Sequence, residues 1–204
     1  VSVDYNFGDK FGGGVMTISV ISCSLNPQSR SFVLASTAAG FLKAIDLNVN
    51  LYDLRNYNLD FCGIPNARDN EGLSELKSAI EQSAAVLLAV PIYNFDVNAA
   101  GKNLIELTGR SWTNKLVGFM CAAGGNASYM SVMGVANSLM LDFRCLIVPR
   151  FVYAVSDAFV HDRTDSMEVG SDEMLGRLRG LVNTTAELAR AIGQLVQGPL
   201  THLQ

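Results

Sequence analysis

Hydroxyl groups crowd one short stretch of the chain, Ser22-Cys23-Ser24-Leu25-Asn26-Pro27-Gln28-Ser29-Arg30-Ser31. Serine hydroxyls turn to donate, and at a helix start they join first-turn N–H groups that lack intrahelical partners. The helix dipole adds positive potential at the same place, so a loop of this kind suits an anion, above all a phosphate. With no ligand present the residues have a plainer use, because Ser29 or Ser31 would cap the helix. Two further loops are rich in Gly, Asn, Ser and Tyr. One is Pro91-Ile92-Tyr93-Asn94-Phe95, running on to Gly101-Lys102-Asn103; the other is Ala123-Gly124-Gly125-Asn126-Ala127-Ser128-Tyr129. Nothing comparable supports a nucleophile triad, a catalytic carboxylate pair or a metal centre. The histidines, His161 and His202, lie far apart, and Cys23, Cys62, Cys121 and Cys145 show no CxxC spacing. No catalytic side chain and no metal ligand is therefore assigned.

The elements around these loops follow from hydrophobic period. Ile18-Ser19-Val20-Ile21 opens a strand over 17–22, and Leu34, Ala38, Phe41, Leu42 and Ile45 share one face of a helix over 31–44. A second strand is expected over 48–53 and a helix over 73–82. A fully apolar strand over 84–90 is stopped by Pro91. A helix over 99–108 closes at Gly109, a suitable residue just past a helix end. The remaining expectations are a strand over 116–122, a helix over 131–142, a fifth strand from 145 through Pro149 to Val152, and a helix over 173–197. The acid-rich segment 155–172, with His161 beside Asp162 and Arg163, reads as an exposed connection. Residues 1–15 have no period and read as an extension before a natural start at Met16, leaving 16–204 as one domain.

Strands alternating with helices predict an α/β fold, a doubly wound parallel sheet of five strands with helices on both faces. Ligands of such sheets bind beyond the carboxyl ends of the strands, and the three loops named above all fall at that edge. Composition removes other classes. The 204 residues are 49% hydrophobic with a net charge of −4, and no Lys/Arg cluster offers a nucleic-acid surface. The longest apolar stretch, 84–91, is too short for a bilayer span. Widely spaced cysteines and no signal-peptide pattern point to a cytoplasmic protein with reduced thiols.

Taken in order, the three loops resemble those of the NADPH-dependent FMN reductase family, of the flavodoxin-like superfamily, and the likeness spans roughly residues 17–195. The first is similar to the family's phosphate loop. The second is similar to its Pro-x-Tyr-Asn…Leu-Lys-Asn signature and is the most specific of the three. The third is similar to its Gly-Gly loop. The resemblance implies that Ser24, Gln28, Ser29, Arg30 and Ser31 hold the FMN phosphate. It implies that Pro91, Ile92, Tyr93, Asn94 and Phe95 line the isoalloxazine, and that Gly124, Gly125 and Asn126 close over its pyrimidine side. Tyr93 has the alternative of simply plugging the sheet edge. Two positions depart from the pattern: Cys23 stands where the family has Gly, and Asn26 where it has Arg, which leaves Arg30 to supply the charge.

The implied activity is hydride transfer from NADPH or NADH to FMN, and onward to a small-molecule acceptor: free flavin, a quinone or an azo compound. Two other readings share the fold, a flavodoxin-type electron carrier and a flavin-free regulatory protein. The helix over 131–142 is apolar on more than one face (Val132, Met133, Val135, Ala136, Leu139, Met140, Leu141). The resemblance places a second subunit there, with Leu104, Ile105 and Leu107 of the preceding helix alongside, giving a homodimer or tetramer.

Overall fold

The computed structural model describes residues 16–197. The expected N-terminal extension, 1–15, and His202 lie outside the described residues. The strands are β1 (Thr17–Ser22), β2 (Asn48–Asp53), β3 (Ala85–Tyr93), β4 (Asp96–Val97), β5 (Leu116–Ala122), β6 (Leu146–Ile147), β7 (Val152–Ala154), β8 (Phe159–Val160) and β9 (Glu168–Val169). The α-helices are α1 (Arg30–Lys43), α2 (Glu71–Gln82), α3 (Ala99–Thr108), α4 (Met133–Phe143) and α5 (Asp172–Gln197).

The main sheet runs in the order β2-β1-β3-β5-β6, all neighbours parallel. The crossovers place α1 and α5 on one face and α2, α3 and α4 on the other. Strand β3 explains why an unbroken apolar run was needed. Ala85, Leu87 and Ala89 enter the core under α1 and α5, while Val86, Leu88 and Val90 enter the core under α2 and α3. Successive side chains point to opposite faces, so a strand covered on both sides has no polar position. Fully burying each Val or Leu contributes about 1.5–3 kcal/mol.

Three details differ from the expectation. Pro91 does not stop the third strand, which continues to Tyr93 and turns back into the short antiparallel β4. Strand β1 reaches only Ser22, paired with Ala89, so β3 beyond that point has an edge on that side. A residue lacking N–H fits such an edge. The fifth strand is divided: β6 pairs with Leu116 and Val117, and β7 pairs with Met120–Ala122. Pro149 and the left-handed Arg150 (φ 60°) interrupt it, so the sheet counts seven strands with β4 and β7. The acidic connection is not featureless either, since β8 and β9 form a hairpin within it.

Candidate functional site

A cleft of about 480 Å³ opens at the carboxyl edge of β1, β3 and β5. Its walls are Ser24, Arg30, Ser31, Pro91, Ile92, Tyr93, Asn94, Ala122, Ala123, Gly124 and Arg163. The structure thus gathers eight of the expected residues from all three loops: Ser24, Arg30, Ser31, Pro91, Ile92, Tyr93, Asn94 and Gly124. Gln28, Ser29, Phe95, Gly125 and Asn126 are not on that wall.

The first loop is held by its own side chains. The Asn26 N–H donates to Ser24 Oγ (3.2 Å) and the Gln28 N–H to Asn26 Oδ1 (2.9 Å). Asn26, in place of the family's Arg, therefore shapes the loop as an Asx turn. Arg55 braces the outer side, donating to the Pro27 carbonyl at 2.6 Å while paired with Asp53 at 2.5 Å. Ser29 takes the plainer of its two readings: its Oγ accepts from the Phe32 N–H (3.0 Å) and caps α1. Ser31 does not. Its side chain is 1% exposed, and its Oγ has no hydrogen-bond partner among the described residues. A buried hydroxyl left without a partner costs about 1–3 kcal/mol, so an orphan on a cleft wall at a helix start points to a missing acceptor. A phosphate oxygen fits that requirement.

Cys23 does not narrow the cleft. Its backbone is not left-handed, its N–H donates to the Ala89 carbonyl at 2.8 Å, and its side chain is wholly buried. Burial, with Asp53 nearby, pushes its thiol up to about 12, so it stays protonated and inert. Asn98, unremarked in the sequence, ties two loops together. Its Nδ2 donates to the Cys23 carbonyl (2.7 Å) and its N–H to the Pro91 carbonyl (3.1 Å).

The second loop is a two-residue hairpin. Ile92 pairs with Val97 and Tyr93 with Asp96, leaving Asn94 (φ 51°) and Phe95 (φ 61°) as the turn. Positive φ at both central residues is the primed turn that hairpins favour, normally built with Asn-Gly. Phe in the second place costs about 1–2 kcal/mol of backbone strain. Tyr93 and Phe95 stand 53% and 68% exposed.

In the third loop, neither Gly124 nor Gly125 has positive φ, and a Cβ added to either meets nothing within 4 Å. The chain itself places no demand for glycine there, whereas close approach of a flat ligand to the backbone does. Tyr153 sets this loop: its hydroxyl donates to the Gly125 carbonyl (2.6 Å) and pairs with Ser128 Oγ (2.6 Å).

Arg30 spans the site. It forms a bidentate ion pair with Asp162, Nε to Oδ1 at 2.8 Å and Nη2 to Oδ2 at 2.5 Å, and Nη1 donates to the Ala123 carbonyl at 3.3 Å. These hydrogen bonds hold the Asp162 carboxyl below the usual carboxylate range and raise Arg30. The side chain expected to face the phosphate is thus already matched by a carboxylate. Arg163, which the sequence reading left in an exposed connection, lines the cleft beside Arg30.

Residues 16–159 match the family model described as NADPH-dependent FMN reductase, and the chain belongs to that family. An NAD(P)H-dependent FAD/FMN reductase from Geobacillus thermodenitrificans is 25% identical over 116 residues, which is 56% of this chain. The match spans 63% of that relative's length. Among solved structures, the flavoenzyme NAD(P)H:(acceptor) oxidoreductase FerB from Paracoccus denitrificans superposes with a TM-score of 0.66 at 22% identity, covering 87% of this chain and 98% of that one. A flavodoxin from the domain Archaea reaches 0.58 at 12% identity, covering 86% and 99%. These two establish a flavodoxin-like fold, which reductases and carriers share.

Proposed function

We propose that the chain is an FMN-dependent NAD(P)H oxidoreductase that passes electrons to a small-molecule acceptor such as free flavin, a quinone or an azo compound. The observation that carries this reading is the orphaned Ser31 hydroxyl, buried at one end of a cleft whose other end is Pro91–Asn94 and Gly124. When bound, FMN would supply the redox chemistry, accepting hydride from the nicotinamide and releasing electrons to the acceptor. The chain's own work is binding and orientation. Ser31 and the first-turn N–H groups of α1 would donate to the phosphate. Pro91, Ile92, Tyr93 and Asn94 would line the ring, and Gly124 lets backbone approach its polar edge. The exposure of Tyr93 and Phe95 leaves that end open to a second planar group, which favours an enzyme over a closed carrier.

We also propose a homodimer. Helix α4 covers only one face within the chain, through Val135, Ala136 and Leu139, while Met133 (42%), Met140 (39%) and Leu141 (77%) stay exposed. Leu104, Ile105 and Leu107 of α3 are buried in the chain's own core and are not available to a partner. A monomer in sedimentation at micromolar concentration would count against the dimer. Among the described residues no helix is long and apolar enough to cross a membrane. The four cysteines, all free thiols, support the cytoplasmic assignment.

The activity is tested by visible absorption of the purified protein with FMN, then with NADPH or NADH under anaerobic conditions. Flavin bands that bleach on nucleotide addition are expected. Bands that persist with both nucleotides would make the protein a carrier fed by another reductase, and failure to take up flavin would end the reading.

A further inference from the structure

The hairpin of β8 and β9 lies far along the chain from the phosphate loop, yet it reaches back to it twice. Asp162 takes the guanidinium of Arg30, 132 residues away, through both carboxylate oxygens. Arg163, the next residue, donates from Nη1 to the Gln28 carbonyl at 3.0 Å and stands on the cleft wall. The hairpin is firmly seated. Phe159 and Val169 are buried in the core, and Arg30 lies over the Phe159 ring at 5.7 Å. Gly170 allows the close return, since a Cβ there would come within 2.3 Å of Val160 Cγ1. The link between the strands is braced by Thr164, whose N–H and hydroxyl both donate to the His161 carbonyl. His161 (φ 50°) and Arg163 (φ 61°) flank Asp162 in left-handed backbone, a conformation that surrounding contacts must hold in place.

We propose that this hairpin sets the charge selectivity of the phosphate end: Asp162 withdraws Arg30 from an incoming phosphate, and Arg163 supplies the cation in its place. The inference rests on the reading of the cleft as an FMN site. Arg30 and Asp162 together carry no net charge, so the local excess positive charge on the wall is that of Arg163. A bidentate Arg–carboxylate pair is among the strongest charge-assisted contacts, and phosphate must compete with it to reach Arg30. The carboxylate, close behind the guanidinium, also repels a dianion. Asp162 is thus a positioning residue that weakens the hold on FMN over riboflavin, which has the same ring but no phosphate. A flavin held this way exchanges, as a cosubstrate must.

The test is fluorescence titration of FMN and riboflavin, without nucleotide, against the full chain and its D162N and R163Q variants. D162N is expected to tighten FMN about tenfold and leave riboflavin unchanged. R163Q, at an exposed position that the core does not need, is expected to weaken FMN about tenfold, again without effect on riboflavin. Combining D162N with R30Q should abolish the gain, because Asp162 acts through Arg30. Equal changes for both flavins, no change, or weaker FMN binding by D162N would overturn the inference while leaving the flavin site intact. Binding of neither flavin by the natural chain would overturn the site itself.

Discussion

The first and second loops of the candidate site are built on opposite plans. In the first loop Ser24, Ser29 and Ser31 are 2%, 4% and 1% exposed, and the loop is cross-braced by Asn26, Arg55 and Asn98. In the second loop Tyr93 and Phe95 project into solvent at a turn with two left-handed residues. The first is preorganised by helix α1 and the sheet; the second stores strain and leaves apolar surface uncovered. The contrast teaches where binding energy and access are separated. On the proposed reading, a rigid anion seat would orient the flavin and an open aromatic loop would admit the second reactant.

Ser31→Ala should break the contrast most sharply. Loss of a hydrogen bond to a charged group costs about 1.5–3 kcal/mol, so FMN should bind about ten- to a hundredfold more weakly, with riboflavin unaffected. The free protein should melt no lower than before, because the substitution removes an unsatisfied hydroxyl. Parallel losses for the two flavins would show that Ser31 does not meet the phosphate.

Phe95→Gly probes the second loop. Relief of left-handed strain should stabilise the free protein by about 1–2 kcal/mol, raising Tm by about 2–4 °C per kcal/mol. Both flavins should bind about as before, because Phe95 is not on the cleft wall. A lower Tm would mean that Phe95 is not strained.

Tyr93→Ala should be milder. Stability should stay within about 0.5 kcal/mol at so exposed a position. Both flavins should lose the same increment, of order 0.5–1.5 kcal/mol for one aromatic contact. A loss confined to FMN would contradict the assignment of Tyr93 to the ring.

The smallest effect concerns pH. The Asp162 carboxyl is depressed by Arg30, so its contribution to stability is fully present above the ordinary carboxylate range. That contribution fades as pH falls through the depressed folded value. Thermal melts from neutral to acid pH should show Asp162→Asn less stable at neutrality and the gap closing in acid. A constant gap would mean that the ion pair is not its source.

Much of the site was legible because its parts are local. The unbroken apolar run of β3 and the one-sided apolar pattern of α1 are set by neighbours within a few residues. A parallel sheet then brings the carboxyl ends of its strands, and so the three loops, to one edge. The Pro91 turn was misjudged because whether proline ends a strand depends on the neighbouring strand, which stops at Ser22. Tyr153 and Asn98 carried no signal, since their partners are backbone carbonyls of distant loops.

The chain by itself therefore determined the α/β class and the order of its elements through periodicity, and the likeness of its three loops to one family's pointed to that family. The tertiary structure alone decided that the Ser31 hydroxyl is buried without a partner, that Arg163 joins Arg30 on the cleft wall, and that Arg30 meets Asp162. That ion pair joins side chains more than a hundred residues apart. Hydrogen bonds and ion pairs act over a few ångströms, so such partners meet only after the crossovers have packed.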